Sequence, residues 1–120
     1  MKILVIDYDL DWVVDFMFCA NGNLVLEKTN NPIDALKQLQ ASAFDLVIME
    51  SDFSDISGKN LILQIRKINN RQNIVVYSNH KREKDSLLWE VDAWVYKKDK
   101  IDALRQLFNS QEFKEKISKK

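Results

Sequence analysis

The chain has 120 residues, 46% of them apolar, with 18 acidic and 18 basic side chains. That length fits one domain with one hydrophobic core, and the even charge removes any whole-molecule reason to bind nucleic acid or an anionic membrane. The single cysteine, Cys19, excludes an internal disulfide; with no spanning apolar run and no signal-peptide pattern, a cytoplasmic protein is expected.

Ile3-Leu4-Val5-Ile6 is short, β-branched and continuously apolar, as in a strand buried on both faces. Asp9 or Asp11 then caps a helix reaching Cys19, with Leu10, Val13, Val14, Met17 and Phe18 expected on its apolar face. Cys19 on that face reads as core rather than nucleophile. Asn21-Gly22-Asn23 is a turn signal. Leu24-Val25-Leu26 predicts a second strand. Asn31-Pro32 supplies a cap and a first-turn proline for a helix carrying Ile33, Leu36 and Leu39 to about Ala41. Phe44–Met49 is the third strand, followed by a Ser- and Asp-rich loop over Ser51–Ser57. Gly58 opens a helix with Leu61, Ile62, Ile65 and Ile68 inward.

Ile74–Tyr77 is the fourth strand, and Lys81–Glu90 predicts a short polar helix with Leu87, Leu88 and Trp89 facing inward. Ala93–Tyr96 is the fifth strand. Ile101–Phe108 makes a last helix, which leaves open whether it runs on through Phe113 and Ile117. The basic end (Lys114, Lys116, Lys119, Lys120) reads as a solvated tail. Strands alternating with helices imply βαβ units and an α/β fold: a (βα)5, doubly wound, parallel five-stranded sheet. The boundaries expected are 1–109 for this domain and 110–120 for a C-terminal helical extension or tail.

In such a sheet, ligands bind at the carboxyl ends of the strands. Four strands end there on chemistry: Asp7, Glu50, Ser78 and Lys97. Their order and spacing resemble the receiver domain of two-component response regulators, a flavodoxin-like, CheY-like module, over nearly the whole chain to about Phe108. The resemblance puts Asp7 at the first of an acidic pair, Glu50 at the phosphoacceptor position, and Gly58 at the family's glycine eight residues later. It puts Ser78 at the switch hydroxyl, Trp94 at the switch aromatic and Lys97 at the conserved lysine.

The departures carry as much information. Tyr8 stands where the second acid, a direct metal ligand, belongs, and Glu50 replaces an aspartate. Ser54 and Lys98 replace prolines, and the short segment between Ser78 and Lys97 implies a reduced fourth helix. A typical receiver sets three carboxylates against one lysine, roughly −2 in charge, which Mg2+ balances. Asp7, Glu50 and Lys97 sum only to −1, and a phenol at Tyr8 is neutral. Mg2+ is therefore expected to be weakly bound or absent, with Asp7, Glu50 and the Asp52 carbonyl as the remaining ligands, and no other cofactor is expected.

Glu50 displaces the carboxylate by about 1 Å, enough to cost about 100-fold in reactivity. The expectation is a pseudo-receiver, not an enzyme and without catalytic residues, in which Glu50 is a fixed charge that pairs with Lys97 and accepts from Ser78. Mimicry of the phosphorylated state and a relic ion pair both remain open. The resemblance implies a protein partner, a histidine kinase or output protein. It also implies a partner or homodimer face built from the fourth helix, fifth strand and fifth helix, here with Trp94, Lys98, Lys100 and Arg105. Trp12 and Trp89 read as core or groove-filling residues, and His80 as a surface loop residue.

Two alternatives stand beside this. One is a phosphorylatable receiver with unusual chemistry. The other is a haloacid-dehalogenase-like phosphohydrolase, which Asp7-Tyr8-Asp9 also resembles. There Asp7 is the nucleophile, Asp9 the general acid/base, and Ser78 and Lys97 hold phosphate; Glu50 and Gly58 are left without a role.

Overall fold

The structure is a computed structural model that describes residues 1–19, 24–82, 84 and 89–118. Five parallel strands, β1 (Lys2–Ile6), β2 (Val25–Thr29), β3 (Leu46–Met49), β4 (Ile74–Ser78) and β5 (Ala93–Tyr96), form one sheet in the order β2-β1-β3-β4-β5. The described helices are α1 (Trp12–Cys19), α2 (Pro32–Ala41), α3 (Gly58–Ile68), α4 (Lys100–Asn109) and α5 (Gln111–Ser118). This is the expected doubly wound α/β fold. The turn at Asn21-Gly22-Asn23, half of the helix expected over 81–90 with Leu87 and Leu88, Lys119, Lys120, and the side chains of Phe18, Cys19 and Lys100 lie outside the described residues; the described residues of that span, Lys81, Arg82, Lys84, Trp89 and Glu90, are not helical.

The unbroken apolar runs have a simple cause. Successive residues of a strand face opposite sides, and here both sides are covered. Ile3 and Val5, Leu46 and Ile48, Val75 and Tyr77 join one core with Trp12, Phe16, Leu104, Phe108 and Phe113. Leu4 and Ile6, Val47 and Met49, Ile74 and Val76 join the other with Ala35, Leu39, Leu61, Ile62 and Ile65.

The α1 face departs from expectation. Val14 and Met17 are about half exposed, while Trp12, Val13 and Phe16 are buried. The helix starts at Trp12, and its phase is set by the large rings: Trp12 meets Phe16 edge-on at 6.1 Å and Phe16 meets Phe108 at 5.3 Å. Burying two aromatic rings outweighs burying Val14 and Met17, at roughly 25 cal/mol per Å2 of apolar surface. β2 also runs to Thr29, further than its apolar residues, because as an edge strand it is only half covered.

Helix α2 starts as its sequence dictates: Asn31 Oδ1 accepts from the N–H of Ile33 and of Asp34, and Pro32 is the first helical residue. Past α4 the chain breaks at Ser110, whose Oγ accepts from Phe113 N–H and starts α5. Phe113 is 4% exposed within the core, a burial that contributes about 1.5–3 kcal/mol. Lys116 reaches back to Asp92, its Nζ 3.6 Å from the carboxylate. No described helix is long and apolar enough to cross a membrane.

Candidate functional site

The strand ends assemble the rim foreseen from sequence. Ile6 pairs with Met49 in register, which sets Asp7 level with Glu50, and Glu50 N–H closes the ladder on Ile6 O at 3.0 Å. Ser78 ends β4 opposite Tyr96, one residue before Lys97, which begins a short 3-10 turn over Lys97–Asp99. Asp7, Glu50 and Ser78 are buried.

Lys97 Nζ donates to Asp7 Oδ2 at 2.6 Å and lies 3.5 Å from Glu50 Oε1. The tighter partner of the lysine is thus Asp7, not the Glu50 expected from sequence. Asp7 is more fully used still. Trp12 Nε1 donates to the same oxygen, Oδ2, at 3.1 Å, and Asp9 N–H donates to Oδ1 at 3.0 Å. Burial pushes the Asp7 carboxyl above its ordinary value, and Lys97, the Asp9 amide and Trp12 offset this only in part.

Glu50 behaves oppositely. Its Oε2 accepts from Ser51 N–H, and its Oε1 accepts from Asn79 N–H at 3.3 Å. Burial acts to raise its pKa, but the Ser78 hydroxyl, the Ser51 amide, Lys97 and the Asn79 amide together hold it below the usual carboxylate value. Two carboxylates that share one lysine are therefore driven apart: both are buried, but the donors outweigh burial at Glu50 and do not at Asp7.

Ser78 is the hub of the far side. Its Oγ and Ser51 Oγ share a hydrogen bond of 2.6 Å, and it accepts from His80 N–H at 2.9 Å. His80 O in turn accepts from Trp94 Nε1 at 2.9 Å. A polar chain thus runs from Glu50 through Ser51, Ser78 and the His80 backbone to Trp94. The Trp94 ring lies 5.5 Å from that of Trp89 and 5.9 Å from the Arg82 guanidinium. His80 itself is exposed, and Arg105 is paired with Asp102 at 2.6 Å.

Tyr8 is half exposed, and its ring tilts against Phe53 at 5.4 Å. Its hydroxyl pairs with Ser54 Oγ at 3.0 Å and accepts from Ser54 N–H. The residue read only as a lost ligand is thus a clasp between the β1 and β3 loops. Gly58 is required by proximity: a Cβ there would stand 1.8 Å from Ser51 O. Three contributors were missed from sequence. The sequence points to Trp12 as core or groove-filling, to Ser51 as loop, and to Tyr8 as a substituted ligand; nothing in local patterning signals the partners they find.

The fit to a divalent cation is poor. Three of the roughly four acceptor positions of the Asp7 carboxylate are already taken by protein donors. The Tyr8 phenol is turned onto Ser54, and Asp52, whose carbonyl is the expected third ligand, pairs through its backbone with Ser57. Among the described residues no three His, Cys, Asp or Glu side chains are grouped to hold a metal ion. The donor set does not suit Mg2+, which prefers near-ideal oxygen geometry.

No family model and no curated protein matches the sequence. Solved structures do. The response regulatory domain of protein mrkE from Klebsiella pneumoniae superposes with a TM-score of 0.80 at 15% identity over the whole of both chains. A CheY-like receiver domain protein from Methanospirillum hungatei gives 0.75 at 13% identity, covering 99% of this chain and 98% of that one. The response regulator TrrA from Thermotoga maritima, solved in complex with Mg2+ and BeF, gives 0.70 at 25% identity, covering 98% and 96%. The strand order, the rim at the strand ends and these superpositions agree on one conclusion: the chain has the CheY-like receiver fold.

Proposed function

We propose that this chain is a signal-transduction receiver module of two-component type that works by binding a protein partner, with Glu50 as a built-in charge, and that it is not an enzyme. The observation that carries this reading is the state of Glu50. It stands where the resemblance places the phosphoacceptor, and two backbone amides, a buried hydroxyl and an ammonium favour its ionised form. Its oxygens are occupied as acceptors rather than poised as nucleophiles. Asp7 is occupied too, which weighs against a hydrolase using it as nucleophile.

Two features support a relay to a partner face. The hydrogen-bonded chain through Ser51, Ser78 and His80 ends on Trp94, and Lys81, Arg82, Trp94, Val95, Tyr96 and Ala103 line a surface cleft of about 340 Å3 there. A histidine kinase or an output protein is the class of partner the fold suggests. Incubation with Mg2+ and acetyl phosphate, followed by intact mass measurement, tests the reading. No phosphoryl adduct is expected. A hydroxylamine-labile adduct on Glu50, lost in Glu50→Gln, would establish a phosphorylatable receiver instead.

A further inference from the structure

The structure assigns Trp12 a role as the positioning residue that closes this rim to divalent cations. This deepens the reading above and concerns the same rim. The geometry is specific. Trp12 is the first residue of α1 and 9% exposed, so packing fixes its ring: Phe16 meets it at 6.1 Å and Tyr77 at 4.8 Å, both edge-on. Held there, its indole N–H points at Asp7 Oδ2 at 3.1 Å. Lys97 Nζ approaches the same atom at 2.6 Å. A carboxylate oxygen offers two lone pairs, and both on Oδ2 are in use.

An indole nitrogen is a donor only. It cannot turn round and coordinate a cation, nor leave without vacating a buried ring site. Lys97 differs: its flexible stem lets the ammonium swing toward Glu50, 3.5 Å away. The lysine alone is therefore a movable counter-charge, whereas the indole is a rigid stopper. Asp9 N–H takes one position on Oδ1, which leaves a single acceptor position on the Asp7 carboxylate. The Tyr8 hydroxyl, the next oxygen along the rim, is held by Ser54 N–H and Oγ. The lost acid at Tyr8 is thus only half of the cause. A chain with the acid restored but Trp12 kept would still present Asp7 with Oδ2 filled.

The test is calorimetric titration of the full chain with MgCl2, repeated with MnCl2 by electron paramagnetic resonance of free Mn2+. Four forms are compared: wild type, Trp12→Phe, Tyr8→Asp, and the double variant. A fifth form carries β-(3-benzothienyl)alanine at position 12, which keeps the ring shape and removes only the N–H. Wild type should show no saturation at millimolar Mg2+. The benzothienyl form should bind about ten- to a hundredfold tighter than wild type, the range for releasing one hydrogen bond to a charged group. The double variant should exceed Tyr8→Asp by a similar factor. Equal affinity of the benzothienyl form and wild type overturns the assignment, as does saturable low-millimolar binding by wild type.

If Trp12→Phe does not fold, the wild-type indole N–H resonance decides with the isostere. It should exchange slowly and escape broadening by Mn2+; exchange at the rate of a free indole overturns the assignment. Phosphoryl uptake is read separately by mass, so a failure of the proposed function is distinguishable from a failure of this assignment.

Discussion

Gly58→Ala is the sharpest test of how the rim is built. Helix propensity alone predicts stabilisation, since alanine is favoured over glycine by up to about 1 kcal/mol in a helix. The local geometry predicts the reverse. A Cβ at Gly58 would lie 1.8 Å from Ser51 O, 2.6 Å from its carbonyl carbon and 3.1 Å from the Trp89 ring. Relief requires the start of α3 and Ser51 to part by more than about 1 Å, since a Cβ contact is ordinary only from 3.4 Å, and the obstacle is backbone rather than a pliable side-chain end.

Ser51 is poorly placed to yield. Its N–H is on Glu50, its Oγ is on Ser78, and the Asp52–Ser57 bridge closes the loop beyond it. Overpacking of this kind costs about 1–3 kcal/mol and here falls at or above the top of that range. After the propensity gain is subtracted, a net loss of about 2 kcal/mol remains. With an unfolding entropy of about 2.1 cal/mol/K per residue, that lowers Tm by about 8 °C. Urea unfolding followed by far-UV circular dichroism measures it, with an unchanged m-value if the effect lies in the native state. A variant as stable as wild type or more so would refute the close-approach argument.

Other expectations concern pH and titration. Because the Glu50 pKa lies below its ordinary 4.5, its stabilisation is present above pH 4.5 and lost as pH falls through the folded value. The gap in unfolding free energy between wild type and Glu50→Gln should therefore shrink on acidification; a gap independent of pH would count against the donors assigned to Glu50. Asp7 runs the other way, since its raised pKa gives a contribution fully present below 3.8 and lost as pH rises through the folded value. Carboxyl-carbon nuclear magnetic resonance should find Asp7 titrating above Glu50, and the reverse order would contradict the burial argument. Burial and the negative charges of Asp7 and Asp9 push the Tyr77 phenol above 10. In an alkaline titration of phenolate absorbance, the component missing from Tyr77→Phe should be a late one, and stability tied to that phenol should vanish only above pH 10.

Much of the site was legible because its parts are strand ends. Runs such as Leu46–Met49 are apolar on both faces only in a covered parallel sheet, and the residue after each run must lie on one rim. Asp7, Glu50, Ser78 and Lys97 were found that way. The α1 stripe was not, because Leu10, Val13, Val14 and Met17 offer a helical period as good as that of Trp12, Val13 and Phe16. Choosing between them needs Tyr77 and Phe108, which arrive from β4 and α4. Phe113 was undecided for the same reason: its burial depends on core partners in β3 and α4.

The sequence by itself determined the α/β alternation, the cap at Asn31-Pro32, the helix start at Gly58, the neutral balance of charge, and which polar residues reach the rim. These follow from local rules of periodicity and turn chemistry that act over a few residues. Only the tertiary structure decided which donor meets which acceptor. Lys97 lies 90 positions from Asp7 and Ser51 lies 27 from Ser78, so their pairing is set by sheet order and register. A hydrogen bond distinguishes partners at the scale of tenths of an ångström, a scale the folded chain defines and sequence spacing does not. That scale gives Lys97 to Asp7 before Glu50, and places the indole of Trp12 on the oxygen that a cation would need.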